Sequence, residues 1–382
     1  MRFHALDAWR GVAALLVLFF HLSANGAFHA FPPVRHGGLS VPFFFVLSGF
    51  VITHAYGARL AGGGEVRRFV VRRIGRLYPL HIVTLGVLVA LELVKWALVR
   101  VGLPSGEPPF HGANGIGSLI ANVFLLQAII PLPDYSWNGP SWSISVEFYT
   151  CLLFGAVAVT FRGRTLVPAM LLVAMAGAAL VALELYHPDW HETQFKGLAS
   201  CICGFFAGHV VYRIFQRLRG GRLPYATAIE VAAVVLIAGL YWFAPLEGVA
   251  SILVFALVVL VFAFDGGAVS RVLAGQPWAL LGKISYSMYL LHFVLLSVLG
   301  GVVRAAQGVL HVPLYRNVGG GMLMDFGPPG TMDLLAFAYA GAVIGLAMLS
   351  YRWIELPGQR LFERFARPTP ITATRPVEAP VA

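Results

Sequence analysis

Gly11-Val12-Ala13-Ala14-Leu15-Leu16-Val17-Leu18-Phe19-Phe20 stands between Arg10 and His21, a stretch with neither a charge nor a hydrogen-bonding side chain. As a helix it rises about 15 Å, half of the roughly 30 Å hydrocarbon core of a bilayer. If the bilayer is the solvent, Arg10 lies near one face and His21 well inside. An ionisable side chain at that depth is costly, and by default it marks a functional site.

Composition meets the condition. Of the 382 residues, 58% are hydrophobic and 12% charged, and the mean hydropathy is +0.78; a soluble domain would be about 25% charged. Apolar runs long enough to span occur at 6–24, 38–56, 78–99, 142–160, 165–186, 196–212, 225–243, 249–264, 278–303 and 333–351. The expected fold is therefore an all-α polytopic membrane protein of about ten transmembrane helices. Ala24-Asn25-Gly26-Ala27 imitates a signal-peptide cleavage site, but the polytopic remainder favours an uncleaved first span.

An eleventh run, Ile116 to Ile130, is short, holds Asn122 and Gln127, and is flanked by Gly115 and Pro131. Counting it as a span would place Arg162, Arg164, Arg213, Arg217, Arg219 and Arg222 outside the cell, against the positive-inside tendency. It reads instead as a re-entrant or interfacial segment buried against protein. Both termini are then cytoplasmic, in the inner (plasma) membrane. Of the 27 Lys and Arg, only Arg35, Arg100, Arg304 and Arg316 fall on outer loops, with Arg10, Lys95, Lys196 and Lys283 at span ends. The net charge of +10 is thus a topology signal, and no nucleic-acid-binding motif accompanies it.

Residues 1–366 read as one membrane domain and 367–382, rich in Pro, Thr and Ala, as a disordered cytoplasmic tail. The longest outer loop, about 304–332, carries Gly319-Gly320-Gly321 and Pro328-Pro329 and is expected to be irregular, a candidate lid. Cys151, Cys201 and Cys203 have no disulfide or zinc spacing and read as buried free thiols; no metal is expected.

Several polar residues interrupt the apolar pattern. Arg72, Arg73 and Arg76 share a helix side before the third span; their planar forks suit phosphate oxygens, or they anchor anionic lipid and topology. Ser48-Gly49 in the second span allows close backbone approach, and Ser48 can contact substrate. Ser143 and Glu147 open the fourth span, where a carboxyl needs a partner. Ser285, Tyr289 and His292 form a polar stripe at i, i+4 and i+7. Arg352 and Glu355 can pair at the exit of the last span, with Pro357 closing that helix. Glu92 and Lys95 can neutralise each other, and His54, His81 and His209 read as satisfied structural histidines.

Leu6-Asp7-Ala8-Trp9-Arg10-Gly11 with His21, Phe44-Phe45-Val46-Leu47-Ser48-Gly49-Phe50, Arg72-Arg73-Ile74-Gly75-Arg76, Ser141-Trp142-Ser143-Ile144-Ser145-Val146-Glu147 and Ser285-Tyr286-Ser287-Met288-Tyr289-Leu290-Leu291-His292 occur in this order along the chain. Together they resemble the membrane-bound acyltransferase family 3, the O-acyltransferases of bacterial surface polysaccharides. Ala8 stands where the first motif often has glycine. Some members carry a fused extracytoplasmic hydrolase-like domain, and nothing after Arg367 is expected to form one.

The resemblance implies acyl transfer, acetyl by default, from cytoplasmic acyl-CoA to a hydroxyl of a glycan or glycosylated small molecule. By it, Arg72, Arg73 and Arg76 hold the coenzyme phosphates. His21 then acts as general base, with Glu147 orienting it and Arg10 binding donor or stabilising the oxyanion. A covalent acyl-His21 intermediate is the alternative route. Ser48, Ser143, Ser285, Tyr289 and His292 are the candidate substrate contacts. The rival reading is a proton-coupled exporter, because intramembrane His, Glu and Arg also build proton relays; its matching broken helices in two halves are not evident. The acceptor and the oligomeric state are not written in these motifs.

Overall fold

A computed structural model describes residues 2–60, 64–102, 108–130, 132, 136–186, 194–219, 224–243 and 248–366. The tail expected from 367 lies outside the described residues. Each of the ten apolar runs forms a helix, α1 His4–His21, α2 Ser40–Tyr56, α3 Val66–Arg100, α5 Trp142–Thr160, α6 Leu166–Tyr186, α7 Gln194–Leu218, α8 Ala226–Phe243, α9 Gly248–Phe262, α10 Gln276–Leu310 and α11 Thr331–Ser350; the eleventh, short run gives α4 Ile116–Val123, and α12 Leu356–Phe365 follows α11. Among the described residues, eight helical stretches are long and apolar enough to cross a membrane, against about ten expected; α1 is not among them, and α9 is shorter. The protein is an all-α polytopic membrane protein. In lipid the backbone must satisfy its own polar groups, and the helix does so within one segment.

Two close crossings fix the helices that matter below. Gly49 on α2 packs against the Phe205 backbone of α7, and Gly208 on α7 against the Val46 carbonyl of α2; a Cβ at either glycine would overlap that backbone. Gly11 on α1 meets Leu281 and Gly282 on α10, and Gly282 meets the Asp7 backbone. Small residues let helix backbones approach where lipid supplies no hydrophobic drive for association. The glycine in the Ser48-Gly49 pair therefore has the packing role its sequence suggested.

Between α3 and α5 the eleventh run is indeed a short helix, α4, followed by turns rather than a span. Its chain break frees carbonyls that an apolar medium cannot hydrate, and side chains satisfy them. His81 Nε2 donates to Asn122 O at 2.8 Å, Tyr78 to Val123 O at 2.8 Å, Tyr149 to Phe124 O at 3.2 Å and Ser145 to Leu125 O at 2.5 Å. Asn122 and Gln127 are both buried in this arrangement.

Three local expectations are corrected. Pro357 does not close the last helix: a π-helical stretch, Tyr351–Glu355, absorbs the break, and the proline sits in the first turn of α12, where its missing N–H costs no hydrogen bond. Glu355 does not pair with Arg352; the π turn directs it into the core, where it is 1% exposed and bonds Arg76. The 304–332 loop is not irregular throughout. α10 runs on to Leu310, and β1 (Tyr315–Val318) pairs antiparallel with β2 (Gly321–Met324). This hairpin docks just past His21, with Met324 N donating to Ser23 O and Asn25 N to Met324 O, both at 2.8 Å.

The remaining polar residues find partners. His209 lies between Thr53 and Thr165 at 3.0 Å from each, His54 meets the Tyr212 hydroxyl, and Lys95 pairs with Glu92 at 3.6 Å. The three cysteines are free and buried.

Candidate functional site

The inner surfaces of α1, α2, α3, α5 and α10 enclose a cavity of about 200 Å³. Arg10, Ser48, Arg73, Arg76, Ser143, Glu147, Ser285 and Tyr289 all line it. Eight of the side chains singled out from sequence therefore meet in one place, although they come from five helices. Apolar walls come from Phe44, Phe45, Leu47, Val51, Ile52, Leu77 and Ile144. Arg72, the neighbour of Arg73, does not line the cavity. Around the helix Arg72 and Arg73 flank Arg76 on opposite sides, about 40° and 60° from it, and it is the Arg73 side that turns to the cavity.

Three cations and one carboxylate face this space. Glu147 accepts a 2.5 Å hydrogen bond from Ser48 Oγ. Arg10 reaches Asp7 at 3.4 Å on its own helix. Arg76 is held by two groups: Glu355, which does not line the cavity, forms an ion pair with it, and the ring of the cavity-lining Tyr286 lies 5.2 Å from its guanidinium carbon. Ser287 also donates to Glu355, at 2.9 Å. Arg73 Nε is buried and has no hydrogen-bond partner among the described residues. Unlike Arg10 and Arg76, Arg73 makes no ion pair with a carboxylate among the described residues.

His21 is placed elsewhere. It ends α1, its Nδ1 lies 2.9 Å from Val17 O, and its ring packs on Phe20, Phe293 and His292. No hydrogen bond or ion pair joins it to Glu147 among the described residues, so the orienting contact expected between them is absent. Its neighbour is His292, with ring centroids 5.0 Å apart. Tyr289 connects the two regions. Its hydroxyl is 2.8 Å from Ser143 Oγ at the cavity wall, and its ring is 5.8 Å from that of His292.

Ser285, by contrast, donates to Gly282 O of its own helix. Sequence reasoning missed Tyr286 and Glu355, which hold Arg76 in place. The signal for Glu355 was a carboxylate inside an apolar run, hidden by the easier pairing with Arg352. Among the described residues no group of three or more His, Cys, Asp or Glu could hold a metal.

Comparison with known proteins gives the family. A family model described as an acyltransferase domain, of the acyltransferase 3 type, matches residues 3–352. The chain is 32% identical over 188 residues to "Protein 2 in picA locus" of Rhizobium radiobacter, covering 47% of this chain and 93% of that protein. It is 31% identical over 163 residues to the acyltransferase MdmB of Streptomyces mycarofaciens, covering 40% and 38% respectively. It is 26% identical over 94% of its length to the putative peptidoglycan O-acetyltransferase YrhL of Bacillus subtilis, of which it spans 56%. No solved structure gives a significant match. The chain belongs to the membrane-bound acyltransferase family 3.

Proposed function

We propose that this member of the family moves an acyl group, acetyl in the first instance, from cytoplasmic acyl-CoA to a hydroxyl of a glycan or glycosylated small molecule. The observation that carries the reading is the single cavity in which Arg10, Arg73 and Arg76 face Ser48, Ser143, Glu147 and Tyr289. At about 200 Å³ it is smaller than the roughly 300–1,000 Å³ of a typical ligand site. It therefore suits the acyl and thioester end of a donor, while the nucleotide end rests outside on the arginine-bearing start of α3. The basic start of α3 and the inside bias of Lys and Arg support a cytoplasmic donor face in the inner membrane, with both termini on that side.

The chemistry follows from the groups present. The acceptor oxygen attacks the thioester carbonyl carbon, and His21 Nε2 takes the hydroxyl proton. Charge grows on the carbonyl oxygen, where Arg73 or Arg10 can stabilise it. The C–S bond then breaks, and the thiolate receives the proton from His21. Tyr289 forms the wall shared by the cavity and the histidines, so the thioester carbon would lie there. Glu147, bonded to Ser48 rather than His21, balances the cavity cations and holds the Ser48 hydroxyl.

The test is to incubate the purified protein with radiolabelled acetyl-CoA, without acceptor, and to compare wild type with His21→Ala. Binding or slow hydrolysis that His21→Ala loses supports the assignment. Neither binding nor hydrolysis in the wild type would sink the donor assignment. Stable label on the wild-type protein would favour the covalent acyl-His21 route.

A further inference from the structure

His21 and His292 stand at the meeting of α1 and α10, their ring centroids 5.0 Å apart and their planes tilted by 46°. Each ring is tied to its own helix in the same way. His21 Nδ1 lies 2.9 Å from Val17 O, and His292 Nδ1 lies 3.3 Å from Met288 O, each carbonyl four residues earlier. A carbonyl only accepts, so Nδ1 carries the hydrogen in both neutral imidazoles, and each Nε2 is left with a lone pair. His292 is fully buried, and its Nε2 has no hydrogen-bond partner among the described residues. His21 is only partly buried.

A buried acceptor without a donor calls for an explanation. Two imidazoles joined by one N–H···N bond of about 2.9 Å have their centroids about 5 Å apart, since each nitrogen lies about 1.1 Å from its ring centre. The centroid spacing of 5.0 Å admits such a bond, but His292 Nε2 is unbonded among the described residues, so the bond is not made without the extra proton. Two lone pairs do not bond one another, but one proton placed between them satisfies both nitrogens.

We propose that His21 and His292 form a two-imidazole base that holds a single proton between their Nε2 atoms, with His292 as the positioning residue behind His21. The proposal rests on the reading of His21 as the base. The acceptor oxygen bonds to the thioester carbon, its proton passes to His21 Nε2, and His292 Nε2 shares that proton while the tetrahedral intermediate lasts. When the C–S bond breaks, the proton leaves the pair for the thiolate, and both imidazoles return to neutral. The backbone carbonyls fix the ring orientation, a task that a carboxylate performs in many Ser-His-Asp sites. No acidic or basic side chain other than the two histidines touches either ring among the described residues. The titratable neighbours are Tyr289 on α10, 5.8 Å from His292 between ring centroids, and Tyr339 on α11, whose hydroxyl donates to the His292 carbonyl at 2.6 Å.

The experiment is nuclear magnetic resonance of the full chain in detergent with ¹⁵N-histidine, following the Nε2 resonances of His21 and His292 against pH. In wild type the two resonances change together, as one coupled group. In His292→Gln the His21 midpoint falls by at least one pH unit, a tenfold loss of proton affinity. His21→Gln likewise lowers the His292 midpoint, so a variant that fails to fold does not remove the test. Independent titrations, or midpoints unmoved by either substitution, would overturn the pair. Thiol release from acetyl-CoA separates this from the underlying reading. If the midpoints move but His21→Gln keeps full activity, the pair stands and the assignment of His21 as base falls.

Discussion

Glu355 forms an ion pair with Arg76 across the packed faces of the π turn and α3, and Ser287 donates to the same carboxylate. Glu355 is 1% exposed, so removing one partner strands the other charge. Breaking a buried pair costs about 3–5 kcal/mol, whereas replacing both members by apolar groups is often neutral. Glu355→Leu should lower stability by about 3 kcal/mol, the lower end because Arg76 is partly exposed. Arg76→Met with Glu355→Leu should recover most of the loss. Thermal unfolding of the detergent-purified protein decides this; equal damage in the single and double variants would remove the pair's structural role.

The same pair separates the arginines by task. Arg76 is already neutralised, Arg72 does not line the cavity, and Arg73 lines it with no carboxylate partner among the described residues. Arg73→Ala should weaken acetyl-CoA binding by about tenfold or more, as expected for a charge-assisted contact of about 1.5–3 kcal/mol, and leave the thermal midpoint near wild type. Arg72→Ala should change affinity by less than about threefold. Equilibrium binding of labelled acetyl-CoA checks both values. Equal losses at the two positions would show that the cavity is not where the donor's thioester end is held.

The segments were legible because lipid leaves the backbone few choices. Ten apolar runs become helices, and the short run with Asn122 and Gln127 becomes a broken piece roofed by side-chain donors. The cavity was legible in part of its membership, since polar side chains inside apolar helices tend to face one another, but His21, Arg72 and His292 do not line it. Their pairings were not legible. Ser48 with Glu147, His21 with His292 and Arg76 with Glu355 join residues from different helices, and partner choice depends on crossings set by glycines such as Gly11 and Gly282. Local rules also misled where two applied at once. Proline ends a helix in its interior but starts one in its first turn, and only the π stretch before Pro357 shows which case holds.

Those crossings make a sharp prediction at α2 and α7. A Cβ at Gly49 would overlap the Phe205 carbonyl, and a Cβ at Gly208 would overlap that of Val46. Backbone cannot yield as a flexible side chain can, so Gly49→Ala or Gly208→Ala should separate the helices and displace Ser48 from Glu147. Gly86 on α3 has open space around its Cβ position, so Gly86→Ala should be neutral or slightly stabilising, since alanine favours a helix by about 1 kcal/mol. Yield of monodisperse protein and its thermal midpoint test the contrast. A well-folded Gly49→Ala protein with unchanged midpoint would disprove the tight crossing.

Asp265, beyond the end of α9, closes the N-terminus of the helix that carries Arg10 and His21. Its carboxylate accepts the His4 and Ala5 N–H groups at 3.0 Å each, two donors that Phe3 at the cap position cannot satisfy. Burial nonetheless pushes the carboxyl above its ordinary value, outweighing these hydrogen bonds and the nearby His4, and Glu230 pushes the same way. A carboxyl raised in the folded state binds its proton more tightly there than in the unfolded chain. Its contribution to stability is therefore full below the unfolded value of about 3.9 and is lost as pH rises through the folded value. Thermal unfolding of wild type in detergent should show this decline on going upward from about pH 4, and Asp265→Asn should remove that component while retaining an acceptor oxygen. Asp265→Ala should cost about 1 kcal/mol at neutral pH, as for a lost helix cap. An Asp265→Asn protein with the wild-type pH dependence would assign the decline to another group.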